Sequence, residues 1–114
     1  MAMYKKVYGV TTMLEQLKED IEQYNFLKDN FEALSSEDGK TAYELAIQML
    51  VAADRWVEIC KNISNYAKEM NTTRTALYDW AYHKYRILMN MHEFCRVVYR
   101  QCEEEQRNSF RGEM

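Results

Sequence analysis

Asn62-Ile-Ser-Asn-Tyr-Ala-Lys-Glu-Met-Asn-Thr-Thr-Arg-Thr-Ala-Leu-Tyr-Asp-Trp80 reads as a helix, a tight polar turn and a second helix. Asn71 is the non-glycine residue that best tolerates the left-handed backbone a sharp turn needs. Thr72 or Thr73 can then cap the next helix. Ala67 is small enough for that helix to cross close above it. Leu77 and Trp80, at i and i+3, are expected to point back into a core, leaving Thr73, Arg74, Thr75, Tyr78 and Tyr82 facing outward.

Outward from this turn the chain is helical in both directions. Upstream, Leu45, Met49, Ala52, Trp56, Ile59, Ile63, Tyr66 and Met70 recur at alternating steps of four and three, which predicts a helix over about residues 41–70 opened by a Thr41-x-x-Glu44 capping box. Ser35 to Lys40 is the clearest loop. A first helix over about 12–35 starts at a Thr12-x-x-Glu15 box and carries Leu14, Leu17, Ile21, Tyr24, Phe31 and Leu34 inward. Downstream, 74–107 contains no breaker and predicts a long third helix. Residues 1–10 read as a possible mobile arm and 108–114 as a frayed tail. With no proline and three glycines in 114 residues, the expected fold is all-α: one domain, a compact bundle of three principal helices, the last two joined by a tight turn.

Residues 62–80, opening Asn-Ile-Ser and closing Leu-Tyr-Asp-Trp, resemble the helix-turn-helix superfamily, particularly its Fis-like and resolvase-like versions. That resemblance implies duplex DNA as partner, with Thr73, Arg74, Thr75 and Tyr78 approaching base edges and Lys68, Lys84 and Arg86 holding phosphates. Asn71 stands where the family usually has glycine, and Asp79 adds a negative charge to the outward face. The family's short first helix begins afresh near Asn62, whereas the four-and-three repeat runs straight through it as one helix of roughly 45 Å. The sequence leaves both readings open.

The charge is uneven. Formal net charge is −3, yet residues 61–86 carry Lys61, Lys68, Arg74, Lys84 and Arg86 against Glu69 and Asp79. Tyr78, Tyr82 and Tyr85 interleave with Lys84 and Arg86 there, a composition able to stack single-stranded bases but more often found as packed tyrosines with wet hydroxyls. The acidic first helix, with Glu15, Glu19, Asp20, Glu22, Asp29 and Glu32, reads as a solvated face.

An enzyme is the least supported class, since phosphate-loop, nucleophile-elbow and metalloprotease patterns are all missing. No cofactor or metal is expected. His83 and His92 lie too far apart on the third helix to share a metal, and Asp54 and Glu58 sit beside Arg55 and Lys61 as an ion-pair face. The three cysteines are unpaired in pattern and read as reduced core residues. The N-terminus lacks a signal-like apolar run and no window reaches membrane-span length, so a cytoplasmic location with no membrane partner is expected.

The third helix is apolar around much of its circumference, with Leu88, Met91, Phe94, Cys95 and Val98 expected at an interface between copies of a homo-oligomer. Two functions compete on these grounds. One is a small DNA-binding protein, a regulator or a DNA-packaging or recombination accessory, acting through residues 62–86. The other is a non-enzymatic helical interaction protein, an oligomeric adaptor or a small inhibitor of a larger complex, of the kind mobile genetic elements encode.

Overall fold

The computed structural model describes the backbone of residues 2–71 and 76–112 and the side chains of 14–71 and 76–109. It consists of α1 (Ala2–Glu32), α2 (Gly39–Glu69) and α3 (Ala76–Gly112), each antiparallel to its chain neighbour because the connections are short. From Ala2 onward the segment expected as an arm continues α1. Thr12 therefore lies inside the helix instead of capping it; a lone Gly9 costs about 1 kcal/mol in a helix, too little to stop one. α3 likewise continues to Gly112, past the point where fraying was expected.

α2 starts earlier than its Thr41 box suggested. Asp38 is the cap, and its carboxylate accepts the Thr41 backbone N–H at 3.0 Å. An anionic oxygen also complements the positive end of the helix better than a hydroxyl does. Hydrogen bonds from Thr41, with Lys40 nearby, hold the Asp38 carboxyl below its ordinary range. The next residue admits almost nothing larger. A Cβ on Gly39 would stand 2.7 Å from Cys102 Cβ and 3.2 Å from its Sγ, so the start of α2 presses directly on α3. Gly39→Ala should push the two helices apart and cost about 1–3 kcal/mol in denaturant unfolding, and adding Cys102→Gly should restore most of the loss.

α2 then passes without interruption through Asn62-Ile-Ser to Glu69, so the long-helix reading holds and no helix begins afresh there. At its end the Met70 N–H reaches Tyr66 O at 3.0 Å and the Asn71 N–H reaches Lys68 O at 3.1 Å. Asn71 adopts φ 53°, the left-handed conformation its side chain tolerates. The capping role expected of Thr72 or Thr73 falls outside the described residues.

The hairpin of α2 and α3 is the main body of the protein, and α1 packs chiefly on α2. Leu45, Met49, Ala52 and Trp56 of α2 meet Ala81, Leu88, Met91, Cys95 and Val98 of α3 in one buried seam. Leu88, Met91, Cys95 and Val98 are thereby corrected as interface candidates: they face α2 of their own chain, and only Phe94 of that set is exposed, at 57%. Apolar positions all round a helix do not say which stripe its own neighbour takes. Leu77 is a second correction, 53% exposed beyond the reach of the seam, whereas Ala67 is buried as the close crossing required. Tyr66 and Met70 are exposed too.

The bundle is a rod of 72 × 28 × 20 Å with a radius of gyration of 19.3 Å, against about 13 Å for a compact chain of this length. Part of the elongation comes from α3. Because Gly39 meets Cys102, the helix beyond that level overhangs the bundle as a charged, exposed extension containing the Arg107–Glu103 pair at 3.3 Å.

Candidate functional site

A two-helix hairpin has a groove on each side of its seam, and α1 fills only one of them. On that side Asp20 is buried, accepting hydrogen bonds from Arg55 Nε and Nη2 at 3.3 and 3.2 Å and from Gln16 Nε2 at 3.2 Å. The solvated acidic face expected for α1 thus loses Asp20 to an interhelical pair. Arg55 likewise bonds Asp20 across the helices, and that hydrogen bonding, with Glu58 still close enough to add to it, keeps the guanidinium more firmly protonated than usual. Above this pair Trp56 is enclosed by Tyr24 at 6.2 Å and Trp80 at 5.3 Å, both edge to face. The Lys84 ammonium lies 4.4 Å from the Tyr24 ring centroid and 5.6 Å from that of Trp80, a cation–π placement that commits it to the α1 side.

About half a turn around α2 from Ala52, at 100° per residue, the other groove is open. Its two hollows are lined from both helices. Near the Asn71 bend, Tyr78, Tyr82 and Tyr85 of α3 face Val57, Lys61 and Ser64 of α2 around about 420 Å³. Tyr78 and Tyr82 are parallel within 8° at 6.3 Å, and Tyr85 follows at 6.0 Å from Tyr82. Toward the opposite end, Tyr43 and Leu50 face Arg96, Tyr99 and Arg100 around about 250 Å³. Tyr43 and Tyr99 sit 4.9 Å apart at its rim. His92 floors this hollow, buried, with its Nδ1–H donating to Ala46 O at 3.0 Å.

Of the residues expected to contact DNA, the described ones are not gathered on one surface. Lys68 and Arg86 are exposed, Tyr78 is half-buried in the first hollow, and Lys84 is turned to the far side of the hairpin. Thr73, Arg74 and Thr75 lie outside the described residues. The three tyrosines of the aromatic–basic stretch do come together, without Lys84. Among the described residues no three His, Cys, Asp or Glu side chains gather as a metal site, and no helix is long and apolar enough to cross a membrane.

Sequence reading missed the open groove. Its signal was present in α2 as a second stripe, Tyr43, Ile47, Leu50, Asp54, Val57, Lys61 and Ser64, with the same four-and-three spacing as the core stripe but set one seam over.

The thiols fall into two classes. Cys60 and Cys95 are buried, and burial pushes both thiols up from their ordinary value, as it does the Tyr24 phenol. Cys102 is partly exposed, its Sγ 3.5 Å from Ser36 O. Folded-state values that are raised give stability fully present below the unfolded pKa and lost as pH rises through the folded one. Melting temperature should therefore fall as pH climbs from about 9, first from the two cysteines and then from Tyr24. Native-state labelling with a thiol reagent should modify Cys102 well before Cys60 and Cys95.

No protein-family model, no curated protein and no solved structure matches this chain.

Proposed function

We propose that the protein is a non-catalytic helical interaction module, an adaptor or small inhibitor that receives a protein partner along the open groove of the α2–α3 hairpin. One observation carries this reading: the groove is uncovered by α1 yet lined by Tyr43, Leu50, Val57, Tyr82 and Tyr85 at helix-packing spacing. Tyr43, Leu50 and Tyr82 are among the exposed large side chains, and aromatic rings of this kind concentrate binding energy at interfaces. The test is site-specific photo-crosslinking in cells from position 50 or 82, with positions 29 and 83 as exposed controls. Protein adducts formed from the groove positions alone are expected; equal labelling from all four would overturn the reading.

A second reading, duplex DNA contacted by the bend between α2 and α3, draws on the left-handed Asn71 and the exposed Lys68 and Arg86. It is weakened by the unbroken α2 and by the engagement of Lys84. Fluorescence anisotropy with duplex DNA at low salt decides it. Binding that weakens steeply with salt and falls with Lys68→Ala and Arg86→Ala is what this reading requires.

A further inference from the structure

We infer that the occupant of the open groove is an acidic amphipathic helix of a partner protein. The inference rests on the interaction reading above and commits it to one partner chemistry. The chain carries net charge −3, yet the two hollows are lined by Lys61, Arg96 and Arg100 and by no carboxylate. Arg96 is paired with Glu93 of its own helix at 3.2 Å, so Lys61 at one end and Arg100 at the other supply the positive charge. Glu103, which stands beside Tyr99 and raises its phenol, is paired with Arg107. Asp54 of α2 and Glu93 of α3 fall on the strip between the hollows. Cations at both ends of an aromatic and apolar trough, on an otherwise acidic molecule, match a ligand whose apolar stripe is flanked by Glu or Asp.

The geometry sets its length. The α2 residues lining the hollows, Tyr43 to Leu50 and Val57 to Ser64, are offset by about 14 positions, or about 21 Å of helix. An occupant lying along the groove would seat two anchors two heptads apart, an aromatic in the roomier hollow and an aliphatic in the smaller one. A second copy of this chain fits less well. A two-fold axis along the helices brings Arg100 of both copies to one level, and an axis across them sets Arg100 against Lys61. Either places like charges together.

The probes are two synthetic three-heptad helices with the same apolar seam and anchors, one flanked by Glu and one by Lys, titrated by anisotropy. The Glu helix should bind about tenfold tighter or more at low salt, with an advantage that shrinks as salt rises. Leu50→Glu should abolish binding; if circular dichroism shows that variant unfolded, Tyr82→Ala at the other hollow replaces it. Joint reversal of Lys61, Arg96 and Arg100 to Glu should transfer the preference to the Lys helix. Equal affinities, a Lys preference in the unaltered protein, or indifference to charge reversal would overturn the acidic occupant, as would no binding by either helix. In each of those cases protein adducts confined to positions 50 and 82 would leave the interaction reading standing, and their absence would remove both. Adducts to a second copy of this chain or to nucleic acid would replace the acidic helix with that partner.

Discussion

Trp56→Ala should be the most damaging single truncation in the molecule, costing about 3–5 kcal/mol and lowering the melting temperature by roughly 10–20 °C. Trp56 is 0% exposed and is the largest fully buried side chain. Its indole joins all three helices, meeting Tyr24 of α1 and Trp80 of α3 edge to face. Emptying that volume also removes the partner of the Tyr24 ring, over which Lys84 is held. A loss of that size approaches the whole stability of a typical small domain. Trp56→Phe should behave differently. Trp56 Nε1 is the buried side-chain polar atom, among the described residues, with no hydrogen-bond partner. Phenylalanine keeps much of the packing and removes that unpaired donor, so it should recover roughly half or more of the alanine loss. Urea unfolding of the two variants checks the difference, and a phenylalanine variant as unstable as alanine would mean the indole shape, and not its volume, is required.

The parts of the fold that follow from periodicity were readable in the chain. The seam of α2 from Leu45 to Trp56 and the Asn71 bend both follow from spacing and backbone preference. What escaped depends on which of several equivalent faces meets a neighbour. Asp20 looked like one more solvated acid until Arg55, 35 positions away, closed on it. Lys84 looked like a phosphate contact until the Tyr24 ring, on another helix, took its ammonium. The interface set Leu88, Met91, Cys95 and Val98 was apolar for an intramolecular reason. The open groove was hidden by its own regularity, since its stripe in α2 has the same period as the core stripe and only the position of α1 tells the two apart.

α1 offers the sharpest example and the second large effect. Counting inward residues along it by alternating steps reaches Tyr24 and then lands on Lys28, passing over Leu27. A helix with 3.6 residues per turn can instead step three from Tyr24 to Leu27 and four to Phe31. Leu27 is the residue that ends up 0% exposed, with Phe31 beside it 5.4 Å from Phe94. Within the described side chains of α1, only Asp20, Tyr24 and Leu27 are fully buried, so Leu27 carries an unusual share of that helix's attachment. Leu27→Ala should cost about 2–5 kcal/mol. Because α1 packs chiefly on one neighbour while α2 and α3 hold each other along the whole seam, the loss should fall unevenly. Hydrogen exchange should accelerate most in α1, with the α2 and α3 seam amides accelerated less than by Trp56→Ala. If protection fell equally in all three helices, α1 would be an inseparable part of one cooperative unit, and the groove on its far side could not be altered by loosening it. If α1 alone lost protection, the hairpin would stand as the stable platform that a groove-binding partner needs.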